Sequence, residues 1–160
     1  MSAGPAGGGG VNRDPARLAP AFRAAVQKAV DECNRRGLDA FVYEGFRSQE
    51  LQKLYYARGR TVIPPHETVT NAATNLYSWH GYGLAVDVIS QAHEWSVPDE
   101  WFGKVAAVFK QFNCKWGGDW KTPDLPHFQW GPCKPSPSEL ARQLIRTQGV
   151  EAVWKAVGAW

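Results

Sequence analysis

Residues 78–87 are the segment that most restricts how this chain can fold, because they join a glycine-containing turn directly to an apolar run. They read SWHGYGLAVD. The two glycines permit a tight turn, and the apolar residues from Leu84 to Ile89 predict a β-strand after it. The turn carries His80 and the strand carries Asp87. An imidazole and a carboxylate brought together in this way favour a metal site or a proton-transfer site.

The remaining histidines of the chain are His66, His93 and His127. A catalytic zinc site uses three protein ligands and keeps a fourth position open. His127 follows the stiff sequence PDLP and can complete the set, whereas His66 and His93 lie in predicted loops and are expected to face solvent. Spacing alone leaves a core or surface role open for each histidine, because the chain has no HExxH or CxxC motif.

Helical and extended patterns alternate along the chain and predict an α+β fold, with a small antiparallel sheet flanked by helices. Predicted helices run from Asp14 to about Gly37, over about 48–58, over 98–112, and from a capping box at Ser136 over about 137–158 with an interruption at Gly149. Predicted strands cover 39–46, 84–89, Trp116 and 128–130. Residues 60–79 are predicted to form a long loop.

The length of 160 residues suits a single domain. Residues 1–13 are rich in glycine and small side chains, and we expect them to be a flexible tail. The domain is then expected to span 14–160, with its motif-bearing core at 39–131. The residues after Gly131 suffice for one C-terminal helix but not for a second core.

Charge and cysteine content exclude several classes of protein. The formal net charge is +3, and the lysines and arginines lack the clustering with aromatic residues that is typical of nucleic-acid-binding proteins. The cysteines Cys33, Cys114 and Cys133 follow no regular spacing, which argues against a disulfide framework and favours synthesis in a reducing compartment. The N-terminus has neither the basic start nor the apolar run of a secretory signal. We therefore expect synthesis in the cytoplasm.

Four motifs in order give the chain a specific resemblance. Residues 78–87 match SxHxxGxAxD at every fixed position, 45–48 read GFRS, 116–120 read WGGDW and 124–128 read DLPHF. Through these four motifs the chain resembles the zinc D-Ala-D-Ala carboxypeptidases and L-alanyl-D-glutamate peptidases, a VanY-like family. Within this family it most resembles the endolysin branch, which is encoded by bacteriophages and some bacteria. The resemblance covers about 39–131 and implies the fold of this family, which is also that of the hedgehog proteins.

The resemblance implies a role for each matching residue of the site. His80, Asp87 and His127 match the zinc ligands of the family. Asp124 matches its catalytic carboxylate, which accepts a proton from zinc-activated water and passes it to the leaving amine. Arg47 matches the arginine that binds substrate or the developing oxyanion. In isolation, Arg47 could merely pair with Glu44 or Glu50, and Asp124 could merely cap a turn.

Further residues in and near the motifs are expected to surround the substrate. We assign Ser78, Trp79, Tyr82 and Gln52 to substrate binding together with Arg47. Gln129 is expected to hydrogen-bond the ring nitrogen of His127 that does not bind metal.

The predicted function is hydrolysis of the stem peptide of bacterial peptidoglycan by a monomeric zinc endolysin, at the L-Ala–D-Glu bond. The alternatives are a D-Ala-D-Ala carboxypeptidase, a D-Ala–diaminopimelate endopeptidase, and an idle zinc module that binds the cell wall without cutting it. Without a signal peptide, the enzyme is expected to be made in the host cytoplasm and to act in the periplasm after release. The C-terminal helix, with its arginines and tryptophans, either docks on the domain or contacts an outer membrane.

Overall fold

The computed structural model describes residues 11–57 and 74–160. Within these ranges the chain forms five α-helices and four β-strands, joined by loops and short 3-10 turns. The helices are α1 (Pro20–Arg35), α2 (Gln49–Ala57), α3 (Asp99–Lys110), α4 (Glu139–Gln148) and α5 (Val150–Ala156). The strands are β1 (Ala40–Glu44), β2 (Ala85–Ser90), β3 (Cys114–Trp116) and β4 (His127–Trp130).

The sheet places β2 and β4 at its centre. Its strand order is β1-β2-β4-β3, and every neighbouring pair is antiparallel. Asp87 of β2 lies directly opposite His127 of β4, so two residues that are distant in sequence become cross-strand neighbours. The α+β fold expected from the sequence, a small antiparallel sheet with flanking helices, is confirmed.

One face of the sheet, here called the helix face, packs against α1 and α3. Phe128 stacks on Phe109 of α3 with ring centroids 4.4 Å apart, and Trp130 meets Phe22 of α1 edge to face at 6.3 Å. The three phenylalanines are fully buried. Burial of one such side chain contributes roughly 1.5–3 kcal/mol to folding. The helix face is therefore the main hydrophobic core of the domain.

A β-bulge near the end of β1 turns its last residue away from the helix face. Val42 lies opposite Val88, but Glu44 lies opposite Asp87, so two steps along β1 match one step along β2. Neighbouring side chains of a strand alternate between faces, and the extra residue Tyr43 therefore moves Glu44 to the other face. We call that other face, which carries Glu44, Asp87 and His127, the site face.

The first α-helix begins later than the sequence predicts. Asp14 does cap a turn, by accepting a hydrogen bond from the Ala16 N–H at 2.9 Å, but this turn is the short 3-10 helix Pro15–Arg17. Helix α1 starts at Pro20. A residue before proline is held in an extended conformation, and Ala19 has φ −56° and ψ 139°. The prediction of one continuous helix from Asp14 is therefore wrong.

The cap of the C-terminal helices also differs from the prediction. Ser138, and not Ser136, is the N-cap of α4, and its hydroxyl accepts a hydrogen bond from the Ala141 N–H at 3.1 Å. The Arg142 side chain donates to the carbonyl of Pro137 at 2.9 Å, which holds that residue outside the helix. The cap observed at Ser138 thus replaces the capping box predicted at Ser136.

Both C-terminal helices dock on the domain. The expected interruption occurs at Gly149, whose φ of 87° suits glycine and separates α4 from α5. Val153 is buried, and the Trp154 indole donates a hydrogen bond to the Tyr82 carbonyl at 2.7 Å. None of the helices within the described ranges combines the length and the apolar character needed to cross a bilayer.

The boundary of the predicted tail lies partly within the described residues. Residues 1–10 lie outside them, as does most of the predicted loop 60–79. Arg13 donates from Nε to the Tyr43 carbonyl at 2.7 Å, and the Asn12 carbonyl accepts from the Gly45 N–H at 2.8 Å. Contacts with the domain therefore begin before residue 14.

Candidate active site

Three side chains predicted as metal ligands converge on the site face. One possible ligand atom from each of His80, Asp87 and His127 lies within 4.8 Å of the other two. The His80 Nε2 is 3.4 Å and the His127 Nδ1 is 3.9 Å from the Oδ1 atom of Asp87. The two imidazole rings lie edge to face, with centroids 5.1 Å apart. Strand pairing positions Asp87 and His127, and a turn brings His80 to them.

The turn before β2 fixes the ring of His80. Ser78 caps this 3-10 turn, and its hydroxyl accepts a hydrogen bond from the His80 N–H at 3.3 Å. Gly83 ends the turn with φ 67°, a conformation that favours glycine. The ring Nδ1 lies 2.9 Å from the Gly45 carbonyl, which can only accept, so Nδ1 carries the proton. The Nε2 lone pair is therefore directed to Asp87.

A parallel arrangement fixes the ring of His127. The Gln129 Nε2 donates to the Lys134 carbonyl at 2.7 Å, so the amide oxygen of Gln129 must face His127, whose Nε2 lies 2.8 Å away. That Nε2 therefore donates, and the Nδ1 lone pair faces the site. Burial lowers the pKa of His127 to about 4, and the ring is neutral at neutral pH. The hydrogen bond expected between Gln129 and His127 is present.

The two oxygens of Asp87 have different surroundings. Oδ1 faces the imidazoles, whereas Oδ2 lies 3.7 Å from Nη2 of Arg47. Burial by itself would raise the pKa of Asp87, but the neighbouring His80 and Arg47 outweigh it and hold the pKa well below its usual range. Asp87 is therefore charged at neutral pH, which is the form that binds metal.

Arg47, for which an oxyanion contact is predicted, is buried among protein partners. Its side chain is 9% exposed. Nη2 and Nε donate to the Glu44 Oε1 at 2.6 and 3.2 Å, and Nη1 donates to the Gln52 Oε1 at 3.0 Å. The guanidinium thus lies between the carboxylates of Glu44 and Asp87. Its contact with a substrate oxygen stays a prediction.

Asp124 lies beside the three converging side chains. Its Oδ2 is 3.9 Å from the Nδ1 of His127, and its side chain is about half exposed. A Cβ at Gly117 would overlap the carbonyl of Asp124 and crowd His127, so only glycine permits this turn to pack against the sheet. Partial desolvation by the surrounding site and the negative charge of Asp87 raise the pKa of Asp124 to about 6. A carboxyl with a pKa near neutrality is suited to proton transfer.

Three of the residues expected to bind substrate lie inside the fold. Trp79, Tyr82 and Gln52 are 5%, 0% and 0% exposed. Trp79 donates from Nε1 to the Lys134 carbonyl at 2.6 Å, and the Tyr82 hydroxyl donates to the Leu76 carbonyl at 2.9 Å. These side chains therefore support the site from within the fold, and their contact with a substrate stays a prediction.

Sequence reasoning missed Trp120 next to the site. The half-buried ring of Trp120 lies against His127, with centroids 4.7 Å apart. Its position at the end of the WGGDW motif was the available signal. Glu44 was expected only as a possible partner of Arg47, and its place on the site face depends on the β-bulge, which no pattern in the sequence indicates.

The donor set fits a zinc ion. Zinc binds histidine nitrogen and carboxylate oxygen at about 2.0–2.2 Å, so two ligand atoms of a tetrahedral site lie about 3.3–3.6 Å apart. The His80–Asp87 pair at 3.4 Å already has this separation, whereas the His127–Asp87 pair at 3.9 Å and the two histidine nitrogens, which lie within 4.8 Å, must move closer together when an ion is bound. Two imidazoles, each with one ring nitrogen directed at the site, and one carboxylate are the chemistry of a catalytic site with three protein ligands.

Comparison with known proteins agrees with this site. Residues 71–130 match the model of a family described as D-alanyl-D-alanine carboxypeptidase. The chain is 29% identical over 131 residues to the peptidoglycan L-alanyl-D-glutamate endopeptidase CwlK of Bacillus subtilis (strain 168), covering 74% of this chain and 76% of that protein. It is 28% identical over 119 residues to the L-alanyl-D-glutamate peptidase of Listeria phage A118, covering 71% of this chain and 38% of the phage protein.

Solved structures show the same fold. The L-Ala D-Glu endopeptidase ChiX of Serratia marcescens superposes with a TM-score of 0.52 at 24% identity, covering 72% of this chain and 82% of that chain. The D,D-pentapeptidase VanY of a VanB-type vancomycin resistance cassette, solved with Zn(II), superposes with a TM-score of 0.52 at 18% identity, covering 92% and 85%.

Fold, motif match and relatives together define the class of the protein, which is a peptidase. The resemblance to the VanY-like family of peptidases, inferred from the four motifs, is confirmed.

Proposed function

We propose that this protein is a zinc peptidase that hydrolyses the stem peptide of bacterial peptidoglycan, with the L-Ala–D-Glu bond as its target. The observation that carries the proposal is the convergence of His80, Asp87 and His127 within 4.8 Å, with Asp124 beside them. The names of the bacterial and phage relatives support both the polymer and the bond.

His80, Asp87 and His127 would hold the zinc ion. When bound, zinc supplies Lewis acidity, which lowers the pKa of water and polarises a carbonyl oxygen. The chain supplies the geometry, because hydrogen bonds to Gly45 and Gln129 direct one lone pair of each imidazole toward the ion.

Asp124 moves the proton. Its carboxylate accepts a proton from the attacking water and then donates it to the nitrogen of the leaving amine, so one group serves both halves of the reaction. The half-exposed position of Asp124 gives it access to water, and a pKa of about 6 lets it hold and release a proton near neutral pH. The Trp120 ring lies against His127 at a tilt of 47°, with centroids 4.7 Å apart, and covers one side of this proposed ligand.

A D-Ala-D-Ala carboxypeptidase or D-Ala–diaminopimelate endopeptidase is the alternative activity, and the family description and the VanY neighbour favour it. Such an enzyme uses the same zinc and the same proton carrier but cuts another bond of the stem. The phage relative supports a role as an endolysin that acts on the wall after release from the cytoplasm. Contact of α4 and α5 with an outer membrane stays a prediction.

Mass spectrometry of the fragments released from purified peptidoglycan tests the proposal. We expect about one zinc per chain by metal analysis and new N-terminal D-Glu groups in the digest. Release of free D-Ala would identify the carboxypeptidase instead. Intact peptidoglycan after incubation with the zinc-loaded protein would contradict a peptidoglycan peptidase and leave a binding module. The His127→Ala variant is the matched control for contaminating hydrolases.

A further inference from the structure

We propose that Glu44 is a positioning residue of this site, which holds Arg47 in place so that the guanidinium orients Asp87 toward the metal. The inference rests on the proposed function in one respect, the role of Asp87 as a ligand. In this arrangement Arg47 contributes to metal binding indirectly, by orienting Asp87. Arg47 is in turn held by Glu44, which belongs neither to the four motifs nor to the ligand set.

The contacts form a continuous chain from Glu44 to the ligand. The Glu44 Oε1 accepts two hydrogen bonds from Arg47, at 2.6 and 3.2 Å, and Gln52 accepts a third at 3.0 Å. These bonds fix the plane of the guanidinium. Its Nη2 then lies 3.7 Å from the Oδ2 atom of Asp87. Because Oδ2 is held by this ion pair, Oδ1 is the oxygen that faces His80 and His127.

The backbone brings the two carboxylates together. Glu44 and Asp87 are cross-strand partners only because of the bulge at Tyr43, without which Glu44 would share the helix face with Val42. Two carboxylates directly opposite each other repel, and Arg47 between them offsets this repulsion. Bulges commonly re-aim side chains next to active sites, and this one creates the carboxylate–guanidinium–carboxylate arrangement.

Stability alone is a poor explanation for this ion pair. The side chains of Glu44 and Arg47 are 1% and 9% exposed. Desolvation of a buried ion pair costs about as much free energy as the attraction returns, and apolar residues of similar volume often stabilise a fold as well or better. Glu44 lies at the end of β1, directly opposite the proposed ligand Asp87, where orientation rather than folding energy is the property that the pair can supply.

Glu44→Gln tests this role, because it keeps the shape of the side chain and removes its charge. Glu50→Gln is the matched control, since Glu50 is an exposed glutamate at the start of α2. Zinc affinity is measured by competition with a chelator, and the visible spectrum of the cobalt-substituted protein reports ligand geometry. We expect Glu44→Gln to weaken zinc binding by about 10- to 100-fold and to alter the cobalt spectrum, whereas Glu50→Gln changes neither.

Coupling to Arg47 separates a positioning role from a general electrostatic effect. If Glu44 acts through Arg47, the losses of zinc affinity in Glu44→Gln and Arg47→Lys are not additive in the double variant. Unchanged zinc affinity in Glu44→Gln, or additive losses, would overturn the inference. If Glu44→Gln does not fold, Glu44→Asp carries the same test with the charge kept and the reach shortened. Zinc binding by the unaltered protein is measured in parallel. Absence of zinc there would contradict the proposed function itself, whereas zinc binding that Glu44→Gln leaves unchanged would contradict only the role of Glu44.

Discussion

The two faces of strand β4 differ in what their side chains do. His127 and Gln129 point to the site face, where the Gln129 amide pairs with the His127 ring and the Lys134 carbonyl, and Phe128 and Trp130 point to the helix face, where aromatic rings pack. All four residues are buried. Because side chains alternate along the strand, one of its faces contributes to the hydrophobic core and the other carries residues of the candidate site. Substitutions at neighbouring positions should consequently affect different properties.

His127→Ala is expected to have the largest effect, on activity. Loss of one of three ligands removes the metal and with it several kcal/mol of transition-state stabilisation, so kcat/KM should fall at least about 10³-fold. Because the pKa of His127 is low and its ring is neutral, no charge is left unpaired. We therefore expect a folded protein by circular dichroism, with no bound zinc. A variant that keeps zinc would remove His127 from the ligand set.

Phe128→Ala, one residue further along, should act on stability instead. Truncation of a fully buried ring that stacks on Phe109 is expected to cost about 3–5 kcal/mol in the free energy of unfolding, measured by urea denaturation. At temperatures where the variant is folded, its zinc affinity should match that of the unaltered protein. A large loss of zinc affinity in the folded variant would show that the two faces are coupled. Phe128→Leu, which keeps most of the volume, is the control.

How much the sequence could predict differs between the two faces. The residues His80, Asp87, Asp124 and His127 stand in motifs whose resemblance to a peptidase family indicates their chemistry, and the fold brings all four together. The apolar periodicity of α3 predicted a packed helix. In both cases the information lies in short segments of the chain.

Other features depend on contacts that spacing does not contain. The aromatic Trp79 and Tyr82 stand in the same motif as His80, yet their side chains turn into the fold, and the direction of a side chain in a turn is set by what packs around it. The bulge at Tyr43, which places Glu44 opposite Asp87, requires the register of two strands to be known. Short motifs therefore indicate which side chains come together, but not which of them face solvent.

Asp124→Asn should separate metal binding from proton transfer within the site face. The amide keeps the size of the side chain but cannot accept the proton, so kcat should fall about 100-fold or more with zinc still bound. In the unaltered enzyme the base is lost as pH falls, because Asp124 is charged only above its raised pKa of about 6. A bound cation favours the charged form, so kcat/KM should decline at or below that pH. Near-normal turnover of Asp124→Asn would contradict its role.

Gln129→Leu should have the smallest effect, confined to zinc affinity. The substitution leaves the Nε2–H of His127 without its acceptor and removes one donor to the Lys134 carbonyl, so the ring is no longer held with Nδ1 toward the site. Loss of such a hydrogen bond typically weakens metal binding about 10- to 100-fold.

Trp130→Phe is the matched control for Gln129→Leu, because it deletes a buried hydrogen bond of the next residue, from the indole to the Val157 carbonyl at 2.7 Å, on the helix face. It should lower the free energy of unfolding by about 1–3 kcal/mol and leave zinc affinity unchanged. If both variants weakened zinc binding equally, the cause would be a general distortion of β4 rather than the lost hydrogen bond to the His127 ring. The chemical separation of the two faces of β4 would then not hold.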